Sequence, residues 1–341
     1  MPDEISGINL LVTQGGTAIV AQTNATLTST AELVEAVVKS TNFSVKNSGD
    51  QSWTLSHEGQ ITDDTGKHAL SNGNASIGIG SKSLSITSVD TSADTVTVGS
   101  TPDGLVAGDE FEITGSTGND DTYTVESISS DTITVEGSIG DSTADGTVEY
   151  APTLPGVQSI TLSLEQELQE APPGINEPPA WDYLTPLRRD WTIEVEGHYY
   201  DPANSPVFSD IHAARDGGNN LPVELDVLGL TFTGDIAADE FEVEAGTDDT
   251  ATHSFSFGGS DTLTKNGTSE TTIGALLDLY FNQTSAMVAL EHRTNGSVVS
   301  GSTKWTGDAY VSTLDIELAR NEYPTISAEY MGDGALDRVT A

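Results

Sequence analysis

The chain carries one stretch twice, first as Gln22-Thr-Asn-Ala-Thr-Leu-Thr-Ser-Thr-Ala-Glu-Leu-Val-Glu-Ala36 and again as Val157-Gln-Ser-Ile-Thr-Leu-Ser-Leu-Glu-Gln-Glu-Leu-Gln-Glu-Ala171. A polar loop follows each copy, and each then ends alike, in Trp53-Thr-Leu-Ser-His-Glu-Gly59 and Trp191-Thr-Ile-Glu-Val-Glu-Gly197. The closing segments alternate apolar and polar residues and stop at glycine, which is typical of a half-buried β-strand. Each copy therefore predicts a strand, a long loop and a second strand. The corresponding signature residues are Trp53, Glu58 and Gly59 in the first copy and Trp191, Glu196 and Gly197 in the second.

A second duplication lies nearer the C-terminus. Thr233-Gly234-Asp235 returns as Thr306-Gly307-Asp308, and Gly259 returns as Gly332 at the same spacing. We call the shift in numbering from Gln22 to Val157 the front offset, and the shift from Gly259 to Gly332 the back offset.

The order along the chain is thus front half, front half, back half, back half. Such self-similarity predicts two copies of one fold. A nested arrangement, with the second copy inserted into the first, avoids crossing connections. Interlaced halves are the alternative.

Together these pieces resemble a known family. The hairpin with a long loop, the Trp-x-hydrophobic-x-x-Glu-Gly strand and the closing Gly-Asp…Gly-Asp-Gly-Ala-Leu stretch are similar to the major tail (tube) protein of tailed viruses with long non-contractile tails, the siphoviruses. The similarity covers about residues 1–62 and 155–338. It implies a β-sandwich subunit that forms rings, which stack into the conduit for viral DNA. It also implies a virion (tail) location, assembly in the host cytoplasm, and contact with the tape measure, tail terminator and distal tail proteins.

The predicted fold is mainly β, with two tail-tube-type β-sandwich, barrel-forming domains, one short helix in each, and a small inserted all-β domain. Residues 1–74 would be the front half of the first domain, and residues 266–341 its back half. Residues 151–265 would form the second domain. Residues 75–150 alternate in short strands between Gly and Asp turns, which favours a small barrel or sandwich on the tube exterior. The predicted helices are Ser205–Arg215 and Thr272–Gln283.

The charge of the chain is extreme, with 53 Asp and Glu against 12 Lys and Arg and a net charge of −41. The regular alternation of apolar residues argues against disorder, so the acidity favours a folded protein adapted to high salt, as in a haloarchaeal virus. With no basic patch, binding of nucleic acid through its phosphates is not expected. Viral DNA would therefore pass through without specific binding.

A different class of protein would share this acidity and β-structure. A haloarchaeal surface-layer or adhesin-type protein is the alternative, although Met1-Pro-Asp-Glu-Ile-Ser lacks the basic and apolar regions of a secretion signal. No run reaches the ~20 apolar residues of a membrane span, so no membrane association is expected. An enzyme ranks third, because the acids are so numerous that no catalytic pair stands out. No catalytic residue, cofactor or metal site is predicted.

The first long loop, about Ser29–Gly49, is the candidate contact between successive rings. Its valines would be either ordinary strand residues or an apolar arm that the family's contact loop resembles, and its lysines would meet an acidic surface. The candidate residues are Val34, Val37, Val38, Lys39 and Lys46. The second loop, Ala171–Trp181, contains four prolines and is predicted to be stiffer. Two fused copies imply a ring of three chains with pseudo-sixfold symmetry, a hexamer of chains being the alternative.

Overall fold

The structure, a computed structural model, describes residues 10–14, 17–18, 21–37, 44–61, 70, 75–171, 181–199, 205–227, 229–245, 250–267, 272–294, 297–300 and 302–340. Within them the chain forms 22 strands and two short helices, which confirms the predicted mainly β class. The strands are β1 Leu10–Gln14, β2 Thr17–Ala18, β3 Ala21–Val37, β4 Ser44–Gln60, β5 Ala75–Ile79, β6 Lys82–Asp90, β7 Thr95–Val98, β8 Glu110–Thr114, β9 Asp121–Ser129, β10 Thr132–Glu136, β11 Thr147–Tyr150, β12 Val157–Ala171, β13 Tyr183–His198, β14 Leu221–Val227, β15 Leu230–Glu244, β16 Thr252–Gly259, β17 Thr264–Gly267, β18 Ala286–Thr294, β19 Ser297–Val298, β20 Thr303–Ala319, β21 Thr325–Gly332 and β22 Asp337–Thr340. The helices are α1 Pro206–Gly217 and α2 Thr272–Asn282.

Two groups of strands follow the same pairing order. In what we call the first unit the order is β3-β4-β21-β20-β18-β1, and in the second unit it is β12-β13-β16-β15-β14-β5. All of these neighbours are antiparallel. In each unit a helix directly precedes the fifth strand of this order, α2 before β18 and α1 before β14. The second unit is a continuous piece of chain apart from the segment after β5, whereas the first unit is completed only by the C-terminal strands.

Hydrophobic alternation decides which face of each strand is buried. On β13, Trp191, Ile193 and Val195 are buried while the residues between them are exposed. The helices cover the buried face of the sheet, because each has an apolar stripe that is itself buried. The stripe residues are Leu276, Leu277 and Tyr280 of α2 and Val207, Phe208 and Ile211 of α1. These side chains belong to one continuous hydrophobic core shared by both units.

Each helix has a simple reason for its position. The first begins at Pro206, where a missing N–H is harmless, and is followed by Gly218, whose φ of 63° is left-handed and suits glycine. The predictions of helices at Ser205–Arg215 and Thr272–Gln283 are thereby confirmed to within two residues. Neither helix of the described residues is long and apolar enough to cross a membrane.

The six strands β6 to β11 form a closed barrel with its own hydrophobic core, separate from the core of the large sheet. The chain leaves the large sheet at the end of β5 and returns beside it, where the Ile79 N–H donates to the Pro152 carbonyl at 3.1 Å. The barrel therefore occupies a loop whose two ends are neighbours.

Two local expectations were wrong. The segment beginning at Ala75 was assigned to the inserted domain, but β5 pairs with β14 in the large sheet, and the barrel begins at Lys82. The sequence of this segment alternates as a strand does, but its Gly and Ser residues made the strand difficult to recognise. The predicted loop Ser29–Gly49 is largely a two-stranded ladder, because β3 and β4 stay paired out to Val37 and Ser44.

Candidate functional site

The repeat signature residues meet in two equivalent tryptophan sites. In the first unit the Trp53 ring lies so close to Gly307 and Gly332 that a Cβ atom added there would lie 2.6 and 2.1 Å from ring atoms. The indole N–H donates to the Gly334 carbonyl at 3.1 Å. Glycine is therefore required at both positions, since any larger side chain would displace the buried ring.

The second unit repeats this site with different atoms. An added Cβ at Gly234 or Gly259 would lie 2.8 or 2.2 Å from the Trp191 ring. The Trp191 indole N–H donates to the Asp261 carbonyl at 2.8 Å. Asp261 corresponds to Gly334 at the back offset, so the two units agree in side-chain packing as well as in strand order.

The remaining signature residues lie on the strands that carry the tryptophans. Glu58 and Glu196 are exposed on the other face of the sheet, and Gly59 and Gly197 are buried in the pairing. A Cβ at Gly197 would lie 2.5 Å from the Gly156 carbonyl oxygen, which explains its glycine. These residues fix the fold of each unit and leave the edges of the sheet to make further contacts.

The two units are joined edge to edge. Residues 159–165 of β12 pair antiparallel with residues 313–319 of β20, which makes one continuous sheet. Leu162 lies opposite Ile316, and each is 1% exposed. The side chains at this joint alternate between the shared core and the opposite, polar face. We call this pairing the internal joint.

Asp182 and Leu184, which lie at the loop end of the β12–β13 hairpin and which we call its tip, add a second contact to the internal joint. The Asp182 N–H donates to the Gln51 carbonyl at 3.1 Å, and the Asp182 carbonyl accepts from the Gly334 N–H at 2.8 Å. The Leu184 N–H donates to Asp333 Oδ1 at 2.9 Å. The tip thus covers the turn that holds the Trp53 indole.

Helix α2 also contacts the hairpin of the second unit. The Tyr280 hydroxyl lies 2.9 Å from the Glu165 carbonyl and 3.1 Å from the Asp190 carbonyl, and burial raises its pKa far above the ordinary value. Arg189 donates to the Phe281 carbonyl at 2.7 Å. The internal joint is therefore supported by three kinds of contact, from an edge pairing, a hairpin tip and a helix.

The face of the sheet opposite the helices is polar and acidic. It is formed by residues 54–60, 159–165, 192–196, 240–244, 252–258, 313–317 and 325–329, and these described segments contain neither Lys nor Arg. Ser and Thr fill most of the other outward positions. The outward acids are Glu58, Glu165, Glu194, Glu196, Glu240, Glu242, Glu244, Asp315, Glu317 and Glu329. We call this surface the acidic face.

The predicted ring-to-ring residues are only partly described. In the backbone ladder Val34 lies opposite Asn47, Val37 opposite Ser44, and Lys46 opposite Glu35. Val38 and Lys39 lie outside the described residues. The role of all five stays a prediction.

Several titratable groups have strongly shifted pKa values, among them the buried His57 and the half-buried Glu224. Burial lowers the pKa of His57 to about 4, and its ring stacks on Tyr330 with centroids 5.7 Å apart. Burial, with repulsion from Asp226 and from two barrel acids, raises the pKa of Glu224 to about 7. Among the described residues no group of three or more His, Cys, Asp or Glu could hold a metal ion.

Comparison with known proteins gives structural neighbours only. No protein-family model and no curated protein matches the sequence. The chain is similar to the tail of an empty gene transfer agent (GTA) particle with C6 symmetry (12% identity, TM-score 0.30, 34% of this chain and 85% of that one). It is also similar to a chain of the native GTA virion (12%, 0.31, 34% and 88%) and to the SPP1 tail tube (19%, 0.27, 36% and 72%). Two of these three neighbours are named as tail structures, and at such TM-scores the likeness carries no functional conclusion.

Proposed function

We propose that this chain is a structural subunit of a viral tail, a tail tube protein whose rings stack into a conduit for DNA. The observation that carries the proposal is the internal joint, in which two like units continue one sheet edge to edge. Because one unit extends the sheet of the other within a chain, the same edge pairing can be repeated between units of different chains. A closed ring of such units leaves no exposed sheet edge. Assembly rather than catalysis then explains the shared plan of both units.

The acidic face supports the role of a conduit. A closed ring of these sheets has two faces, and the helices and the core cover the outer one. The acidic face would then line the lumen, where like charge repels DNA phosphates and prevents them from sticking. The genome would slide past without specific binding.

We infer a ring of three chains with pseudo-sixfold symmetry, because each chain contributes two units. A ring of six chains is the alternative. The nested division into a first domain (1–74 and 266–341) and a second domain (151–265) agrees with the two pairing orders, with β5 added to the second. The barrel would project from the tube exterior. The other partners would be the tape measure, tail terminator and distal tail proteins, in a virion assembled in the host cytoplasm.

Electron microscopy of the purified protein tests this proposal directly. Hollow tubes or rings with an acidic lumen are expected, and flat two-dimensional lattices would instead favour the surface-layer or adhesin alternative. A monomer at all concentrations would contradict both.

The halophilic origin has a separate test. Mutual repulsion of a net charge of −41 should destabilise the protein once salt no longer screens it. Circular dichroism during dialysis from molar to millimolar salt should therefore show loss of structure. An unchanged spectrum and melting temperature would contradict the adaptation to salt.

A further inference from the structure

The second unit carries an unused copy of the edge that forms the internal joint. At the back offset, residues 313–317 of β20 correspond to residues 240–244 of β15. These residues pair with β16 on one side, and no strand among the described residues pairs with them on the other. The sheet of the second unit therefore ends in the same edge that the first unit uses to bind a neighbour.

The first unit carries the complementary unused edge. At the front offset, residues 159–165 of β12 correspond to residues 24–30 of β3. These residues pair with β4, and no described strand pairs with them on the far side. Both halves of a second joint are thus present in one chain, on different units, and they belong to opposite ends of the sheet.

The pairing of the internal joint fixes the register of this second joint. Leu162 opposite Ile316 becomes Leu27 opposite Val243 when both offsets are applied. Ile316 is 1% exposed, whereas Val243 is 40% exposed and is one of the few large apolar side chains on the described surface. Leu27 is half-buried, whereas Leu162 is 1% exposed. The second joint thus pairs apolar residues at the same positions as the internal joint, but within one chain these two side chains are not fully buried.

The contact made by the hairpin tip is also duplicated. The turn that the tip covers in the first unit corresponds to Ser260 and Asp261 in the second, where the structure has an open cleft of about 430 Å³. Arg189, which lies two residues before Trp191 as Gln51 lies two residues before Trp53, also lines this cleft.

The β3–β4 hairpin is long enough to contact this cleft. In the β3–β4 hairpin Val45 lies opposite Ala36, just as Tyr183 lies opposite Ala171 in the β12–β13 hairpin. The two ladders therefore extend equally far beyond their tryptophans, and the backbone of the first hairpin has the right length to contact the cleft.

We propose that a second copy of this chain occupies this edge, so that β3 of one chain pairs antiparallel with β15 of the next, with Leu27 opposite Val243. The end of the β3–β4 hairpin of the first chain, at Ser44 and Val45, then lies in the cleft at Asp261. The contact is heterologous, because each chain offers a different edge to its two neighbours, and repetition closes a ring or extends a helix. This inference deepens the proposed function by naming the surface of the partner, and it rests on the ring assembly proposed there.

Disulfide cross-linking tests the register, because the chain has no cysteine of its own. The double variant Leu27→Cys with Val243→Cys should form disulfides between chains under mild oxidation, seen as a ladder of oligomers on a non-reducing gel. As a control, Leu162→Cys with Ile316→Cys should cross-link within one chain and leave its size unchanged. Shifting one cysteine, as in Leu27→Cys with Phe241→Cys, should reduce the product roughly tenfold, because diagonal positions are too far apart for good disulfide geometry. Equal cross-linking of both pairs, or none, would overturn the proposal.

A second variant avoids any effect of the cysteines. Val243→Asp adds a charge to the exposed edge, so rings should dissociate to monomers in size-exclusion chromatography while the circular dichroism spectrum stays unchanged. Met287→Asp is the matched control, because Met287 is 51% exposed on β18, away from the proposed joint, and its variant should assemble normally. Rings that survive Val243→Asp would contradict the proposed contact.

The same experiments separate this contact from the tail tube role. Tubes that form without the Leu27–Val243 cross-link would contradict the proposed register and leave the tail tube role standing. Cross-linked closed rings that never stack into tubes would leave the contact intact and contradict the tail tube. The ladder also measures ring size, since it should stop at the number of chains in one closed ring.

Discussion

Replacing Gly259 by alanine should test the tryptophan sites most sharply. A Cβ at this position would lie 2.2 Å from Trp191 Cε2, and the ring must move away until this contact reaches the ordinary range that begins at 3.4 Å. Such a movement breaks the 2.8 Å hydrogen bond from the indole to the Asp261 carbonyl. Overpacking of a buried site costs about 1–3 kcal/mol and the lost hydrogen bond about 1 kcal/mol. We expect Gly259→Ala to lower the free energy of unfolding by about 2–4 kcal/mol.

The adjacent residue provides a matched control. Gly258 lies on the same strand, and an added Cβ there would have nothing within 4 Å. Both substitutions gain the same small advantage from a stiffer unfolded chain, so the comparison isolates the clash. Urea denaturation in molar salt measures the difference. Equal stability of the two variants would show that Trp191 adapts freely, and the interpretation of the paired glycines would then be wrong.

Three further predictions concern other parts of the molecule. The lowered pKa of His57 means that its contribution to stability is complete above about pH 6.5 and is lost as the pH falls towards 4. His57→Leu should therefore reduce the loss of unfolding free energy between about pH 7 and pH 5 by about 2 kcal/mol. Urea titrations at the two pH values measure this loss, and an unchanged loss in the variant would contradict the prediction. A deletion that joins Ser81 directly to Ala151 removes the barrel at a point where the two ends of the chain are neighbours. Circular dichroism should therefore still show a folded sheet, and electron microscopy should still show rings. If the sheet stays folded but no rings form, the barrel is an assembly element. Val34→Asp with Val37→Asp should stop rings from stacking yet leave them intact, because the proposed contact in the cleft is made by the hairpin backbone and not by these side chains. Long tubes from this variant in electron microscopy would remove the two valines from the ring-to-ring contact.

The sequence predicts the repeated plan well because each repeat keeps the residues that packing requires. The Trp and Gly pairs occur in both copies since no other side chains fit between the ring and the backbone of its neighbouring strands. Their contact with each other was not predicted. An offset shows which residues are equivalent, and it does not show which strands are neighbours.

The parts that sequence reasoning missed have weak local signals. Strand β5 corresponds in position to β1, yet Ala75-Ser-Ile-Gly-Ile79 and Leu10-Leu-Val-Thr-Gln14 share no residue at matching positions, because an edge strand needs only its alternation. The internal joint was also missed. Edge pairing uses backbone groups that every residue has, so only the alternating apolar residues of β12 and β20 could have pointed to it.

The pairing of β4 with β21 has a consequence for the order in which the protein can fold during synthesis. Gln60 ends β4 and Thr325 begins β21, so most of the chain is translated between these two partners. At about 5–20 residues per second, a ribosome needs on the order of tens of seconds to cover that distance. The second unit emerges whole within this interval and can fold at once, while the hairpin of the first unit waits with an unsatisfied strand edge. Nascent chains on neighbouring ribosomes expose the same unpaired strand edge. The risk of aggregation is therefore greatest before the last strands of this protein are translated, and chaperone protection is needed most during that interval.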